Sequence, residues 1–442
     1  MRGTLRKKII SAVFFAGFFL AAGYAFANEN TAEENAVVLD LDKAIQMALA
    51  NNPKTTIASG NLKSAAGSVK QALGQYGPQI VFRHTENRVK NYKSLPISIT
   101  DSFDNSASVS LPVYTGGARK GNLRAANNNY EIAKLEIGRT DQEVKLDATS
   151  AYYTVLQTRN LVALGTESVA RLEEHLKNVQ AQFDVGIVAK VDVLRSQVEL
   201  ANSQQDLIKA QNSYDVAVAS LNNVVGLPLE TRTVVDDELT HSDYVKSLED
   251  CIDFSRQHQP QIIQAAKAVE AAKGSVMAAR SGYLPDISIS AGYGWGDREF
   301  PGDEKSSWSV SATMNFTLFD SNITRGRVDS AQGALSQRQA GYRQIRDNVF
   351  LAVRSNYLSL REAEKRIETA SVTVETAEED YKIALVRYQA GVGTNTDVLD
   401  AQVALTQAKT NYVQALYDYN TSWANLENAM GVPVGPLARE RR

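Results

Sequence analysis

The clearest pattern in the chain is a strict alternation of apolar and small polar positions after Pro285. Ile287, Ile289, Ala291, Tyr293 and Trp295 alternate with Ser288, Ser290, Gly292, Gly294 and Gly296. A period of two marks a strand whose two faces meet different surroundings. After the turn-rich stretch DREFPGDEKS the alternation returns, with Trp308, Val310, Ala312, Met314, Phe316 and Leu318 set against Ser307, Ser309, Ser311, Thr313, Asn315 and Thr317. These spacings predict strands over 286–296 and 307–319. A fainter pair, begun by Ile80 and Phe82 and closed by Ser108, Val109, Ser110 and Leu111, predicts strands over 79–89 and 103–114. Pro78 and Pro285 mark where helix gives way to strand, because a proline removes a backbone donor and ends a helix.

The rest of the chain reads with helical spacing. From Gly117 to Val185 there is no proline, and Val144, Ala148, Ala151, Val155, Val162, Val169, Leu172, Leu176, Val179 and Phe183 recur at steps of three, four or seven. Val349, Val353, Leu360, Ile367, Val374, Ala377, Tyr381, Ala384 and Tyr388 repeat that register. Heptad spacing sustained this long predicts coiled-coil packing, and a helix of that span is about 100 Å long. Gly186 and Gly391 sit where C-cap glycines end helices, and return helices follow through Val191, Leu194, Val198 and Val398, Ala401, Leu405.

The two halves are copies. RYQAGVGTNTDVLDAQ (387–402) echoes QFDVGIVAKVDVLRSQ (182–197), aligning Gly391 with Gly186, Asp397 with Asp192 and Leu399 with Leu194. Pro53 pairs with Pro260, Tyr76 with Tyr283, and the ends Gly226-Leu227-Pro228 and Gly431-Val432-Pro433 match. A fixed offset of about 205 residues is the signature of duplicated structure. The expected organisation is a first repeat over 28–228, an acidic turn-rich joint over 229–248, a second repeat over 249–433 and a mobile tail over 434–442.

Residues 1–27 are set apart by Arg2, Arg6, Lys7 and Lys8, an apolar run from Ile9 to about Tyr24, and Ala25-Phe26-Ala27, which is the pattern of a secretory signal peptide cleaved after Ala27. Removing it takes the formal charge from −3 to about −7, and an acidic chain carries no electrostatic footprint for nucleic acid. No second apolar run is long enough to cross a bilayer as a helix, so a membrane crossing by the mature chain uses strands.

Each predicted strand is about ten residues long, the length of a tilted strand crossing a bilayer, and Tyr293, Trp295 and Trp308 gather near one end as an aromatic girdle does. A soluble sandwich also alternates, but solvated strand faces carry long polar side chains, whereas the polar face here is Ser and Gly. Four strands cannot close a barrel, which needs about eight. Two chains would supply eight around a filled interior, and three would supply twelve around a pore.

The whole pattern (leader, two copies of helix, Pro, two strands, long helix, Gly tip, D-V-L, return helix and G-x-P) resembles the TolC family of outer membrane factors over essentially the entire mature chain. The resemblance implies a mainly α fold with a β membrane part. Coiled-coil hairpins trimerise into an α-barrel across the periplasm, beneath a shared 12-stranded barrel embedded in outer-membrane lipid. It implies a homotrimer that meets a periplasmic adaptor and an inner-membrane transporter of RND, ABC or MFS type, and serves efflux or type I secretion. Residue by residue, the family's periplasmic entrance carboxylates fall on Asp397 and Asp400, and its tip-closing tyrosine and aspartate on Tyr388 and Asp192. Its tip-closing arginine falls on Gly393 and the threonine partner on Val191, so both are absent. Gly186 and Gly391 mark the hairpin tips that would contact the adaptor.

Asp192 and Asp397 also suit a capping role near helix starts. Asp400 has Arg195 as its counterpart, so duplicated capping does not explain it. No cofactor or metal is expected, because His84, His175, His241 and His258 show no ligand spacing. No phosphate-binding or nucleophile motif stands in its strand-turn-helix context. The lone Cys251 aligns with Ala44 and predicts a small buried side chain. A periplasmic coiled-coil spacer and a stand-alone porin remain alternatives; the first leaves the strand hairpins unexplained and the second the long helices.

Overall fold

The computed structural model describes residues 36–91, 98–301 and 305–435. The expected leader over 1–27, and 436–442 of the expected tail, lie outside the described residues. In chain order the elements are β1 (Val37–Leu39), α1 (Leu41–Asn51), α2 (Pro53–Gly74), β2 (Gln79–Asn91), β3 (Ser98–Thr115), α3 (Ala118–Asp184), α4 (Lys190–Val225), β4 (Thr233–Val235), α5 (Leu248–His258), α6 (Pro260–Arg280), β5 (Asp286–Asp297), β6 (Lys305–Asn315), α7 (Ile323–Gln389) and α8 (Asn395–Met430).

Each half opens on a helix broken at its proline. The Asp40 carboxylate accepts from Lys43 N at 2.6 Å to start α1, and Asn52 then accepts from Lys54 N at 3.0 Å to start α2 with Pro53 in its first turn. Ser247 and Asp250 form a capping box at α5, and Pro260 opens α6 in the same way as Pro53. Proline is tolerated there because a first-turn N–H has no helical partner to lose. Cys251 and its counterpart Ala44 are both fully buried, as the alignment predicts.

After Pro78 and Pro285 the chain enters one four-stranded antiparallel sheet of order β2-β3-β5-β6, leaving β2 and β6 as its edges. Its register puts Phe82, Ala107, Tyr293 and Trp308 in one row across the sheet, beside the row Ile80, Val109, Ala291 and Val310. The opposite face carries the rows Val81, Ser108, Gly292, Ser309 and Arg83, Ser106, Gly294, Ser307. Through these rows one face is aliphatic and aromatic, and the other, apart from Val81, is small and polar around Arg83.

Strand limits differ from expectation by one to five residues at six ends, β6 for instance starting at Lys305 rather than 307. β2 reaches Asn91 and β3 begins at Ser98, because cross-strand polar pairs continue the ladder after apolar alternation stops. Arg88 Nε donates to Asp101 Oδ1 at 2.7 Å, and His84 Nδ1 lies 2.8 Å from Asn105 Oδ1. β6 ends at Asn315 rather than 319, since its partner β5 starts at Asp286 and Pro285 offers no donor beyond it. Phe316 and Leu318 are exposed outside the ladder.

α3 and α7 are each 67 residues long, so each extends about 100 Å. The 36-residue helices α4 and α8 pack antiparallel on their distal parts, while α2 and α6 pack on the parts nearer the sheet. α3 and α6 approach closely at Gly121 and Gly274, where a Cβ on Gly121 would lie 2.5 Å from Gly274 O. Val144, Ala148, Val155, Leu172 and Val179 are buried as predicted, and so are Val353, Leu360 and Ile367.

The joint is more ordered in its packing than an acidic turn-rich stretch suggests. β4 pairs in parallel with β1, Tyr152 donates to Asp237 Oδ2 at 2.6 Å, and Arg159 donates to Val235 O and Asp237 O at 2.6 Å each. Tyr244 is buried, with its hydroxyl 3.3 Å from Cys251 Sγ and its ring edge-on to Trp423 at 5.0 Å.

Candidate functional site

The two hairpin tips come together through a small core of Val179, Val193, Ala384, Tyr388, Val398 and Ala401. Both long helices end alike. Gly186 and Gly391 take φ of +78° and +76°, a left-handed conformation that glycine adopts without steric cost. Around them, Ile187 N donates to Gln182 O at 2.9 Å and Val392 N to Arg387 O at 3.0 Å, the long bond of a Schellman cap.

The starts of the return helices differ. Thr394 and Asp397 form a capping box, with Thr394 N donating to Asp397 Oδ2 at 2.9 Å and Asp397 N donating to Thr394 Oγ1 at 3.1 Å. The backbone N–H of Thr394 foremost, and then its hydroxyl, hold the Asp397 carboxyl below the usual aspartate range, with a smaller pull from Arg387. In the other tip the cap position is Ala189, which has no side-chain acceptor. Capping thus accounts for Asp397 and not for Asp192, which is half-buried and whose backbone oxygen accepts from Asn395 Nδ2 at 3.1 Å. Asp400 is exposed one turn beyond Asp397 on α8.

No hydrogen bond joins Tyr388 to Asp192 within the chain. The Tyr388 hydroxyl is buried without a hydrogen-bond partner, and burial, assisted by the charge of Asp192, pushes the phenol up. Gly393 leaves little room for the family's arginine, since a Cβ there would lie 3.1 Å from Arg387 Cβ. Other residues make the cross-hairpin contacts. His175 Nε2 lies 2.7 Å from Asn395 Oδ1, Ser196 Oγ donates to the same oxygen at 3.2 Å, and Arg195 Nη1 donates to Thr396 Oγ1 at 3.0 Å. His175, Ser196 and Asn395 are all buried.

The sequence marked His175 only as lacking metal-ligand spacing and did not single out Asn395. The available signals were a histidine three residues after Leu172 on the apolar stripe of α3, and an asparagine aligned with Lys190 of the other copy.

No group of three His, Cys, Asp or Glu among the described residues is placed to hold a metal ion, and no described helix is long and apolar enough to cross a membrane.

Comparison with known proteins decides the family. The model of the outer membrane efflux protein family matches residues 44–227 and 252–432, both repeats in turn. The chain belongs to that family. It is 24% identical over 323 residues to the outer membrane protein TolC of Vibrio cholerae, covering 70% of this chain and 72% of that one. It is 22% identical over 437 residues to the cobalt-zinc-cadmium resistance protein CzcC of Cupriavidus metallidurans, covering 96% and 100%. The alkaline protease secretion protein AprF of Pseudomonas aeruginosa is 24% identical over 426 residues, covering 90% and 86%. In fold it matches the CmeC outer membrane channel of Campylobacter jejuni at a TM-score of 0.80 and 16% identity, over 88% of this chain and 85% of that one. VceC of Vibrio cholerae matches at 0.78 and 19% identity, over 88% and 96%. The protein is an outer-membrane channel of the efflux and secretion kind, extending into the periplasm.

Proposed function

We propose that three copies assemble by pairing β6 of each chain with β2 of the next into a 12-stranded barrel, the twelve long and return helices forming a hollow periplasmic cylinder below. The observation that carries this reading is the open sheet itself. It has four strands, two unpaired edges and one lipid-type face, and unpaired edges are managed by closure. The Ser and Gly rows then line the lumen with three copies of Arg83, while Asp397 and Asp400 form two carboxylate rings one helical turn apart at the periplasmic end. Carboxylate rings favour cations, and the entrance is selective for them.

The conduit works with a periplasmic adaptor at the Gly186 and Gly391 tips and an inner-membrane transporter of RND, ABC or MFS type. Relatives named for metal resistance and for protease secretion support both an efflux and a secretion role. No catalytic step belongs to the chain. Recording the purified protein in planar bilayers tests the conduit, which should conduct in single steps. Removing periplasmic adaptors from the host should abolish export while leaving conductance in the bilayer intact; export that persists without any adaptor would favour a stand-alone porin.

A further inference from the structure

We propose that Asn395 and His175 are the positioning residues that hold the periplasmic tip closed, and that a proton on His175 releases it. The proposal rests on the channel reading above and concerns residues which that reading leaves unused. Asn395, the first residue of α8, joins three helices: its Oδ1 faces His175 Nε2 of α3 at 2.7 Å and accepts from Ser196 Oγ of α4 at 3.2 Å, while its Nδ2 donates to Asp192 O at 3.1 Å. The second hairpin is thereby bonded to the first through one buried amide. Tyr388 adds no bond to this junction, because its buried hydroxyl has no partner.

The bonding pattern fixes the proton. An amide oxygen only accepts, so His175 carries its hydrogen on Nε2 and presents a lone pair at Nδ1. Nδ1 is buried and unpartnered, and the Tyr388 ring lies beside it with centroids 5.3 Å apart. A proton arriving at Nδ1 creates an imidazolium with no acceptor for its new N–H, inside a core of valine and alanine. Water satisfies that cation only when the hairpins part.

The charged groups around the site do not offset this. From α4, the charge of Asp192 acts on Tyr388, and Arg195 is bonded to Thr396. From α7, Tyr381 and Tyr388 are phenols held neutral, and from α8 Asp397 is bonded at its cap. Burial therefore dominates at His175 and pushes its pKa down, against a weaker opposing pull from Asn395. The sign follows directly. A closed-state pKa below the open-state value near 6.5 leaves closure fully stable above that value and weakens it as pH falls. For a closed site that admits no proton, the closed-to-open ratio of each tip drops by up to about tenfold at pH 5.5.

Amide hydrogen exchange of the assembled protein reads the lock directly, with rates corrected for intrinsic pH dependence. Between pH 7.5 and 5.5, protection over 190–200 and 395–405 should fall several-fold in the wild type, with the equatorial core of α3 unchanged. His175→Gln, which keeps an amide donor for Asn395 and cannot be protonated, should keep its protection at both pH values. Asn395→Ala should lose protection at both. Tip protection that ignores pH in the wild type, or a pH response that survives in His175→Gln, overturns the proposal. Single-channel recording separates it from the reading beneath it: a protein that conducts but whose open probability is flat with pH refutes the lock alone, and a protein that never conducts refutes the conduit.

Discussion

Replacing Ile289 by arginine on β5 is the sharpest probe of which sheet face meets lipid. Ile289 lies opposite Leu111 and Ala312, an aliphatic row two residues from the row of Ala291, and its side chain is 45% exposed in the single chain. An arginine near the bilayer midplane costs about 2–4 kcal/mol. Because the barrel is shared, every trimer carries the change three times, roughly 6–12 kcal/mol in all. Its neighbour Ser290 is the control: it points to the other face, where its hydroxyl meets Ser311 Oγ at 2.8 Å, and an arginine there reaches lumen water. Urea unfolding in lipid vesicles should separate Ile289→Arg from Ser290→Arg by at least about 2 kcal/mol per chain. Equal destabilisation by the two would mean that the faces do not differ in solvent, and the sheet would be better described as a soluble sandwich.

Further tests follow from the helices and the tip. Gly121→Val places a Cβ 2.5 Å from Gly274 O where both sides are backbone, so it should destabilise by at least about 1–3 kcal/mol in thermal unfolding. Thr394→Ala removes the cap of α8 and should cost about 0.5–2 kcal/mol of tip stability by the same method. The double change Asp397→Ala and Asp400→Ala should lower cation preference in the reversal potential, and unchanged selectivity would remove both from the pore lining. Arg83→Glu in the lumen should raise cation preference, and an unaltered reversal potential would place Arg83 away from the conduction path.

Much of this fold was legible because its determinants are local. Pro78 and Pro285 act within a few residues, as do the Schellman glycines Gly186 and Gly391, and heptads over 67 residues can form only long paired helices. The second strand pair was plain because glycine and serine fill one face. The first was faint because Arg83, His84, Asn105 and Asp101 put polar groups on both faces, and only pairing across the sheet reveals the longer ladder.

The tip divides along the same line. The capping box of Asp397 spans three residues and could be anticipated, whereas the bond from His175 to Asn395 spans 220 residues and joins the two copies at positions that do not correspond. The family pattern pointed to Tyr388 and Asp192, while the Tyr388 hydroxyl has no hydrogen-bond partner within the chain. Arg195, noticed only as the odd counterpart of Asp400, makes one of the cross-hairpin contacts by reaching Thr396.

If one chain supplies a third of the membrane channel, the mass of the mature protein in detergent micelles is that of three chains. Native mass spectrometry should give three chains, the number that turns four strands each into twelve around an open lumen. A stable monomer, or a dimer whose eight strands would enclose only side chains, would rule out the shared twelve-stranded barrel.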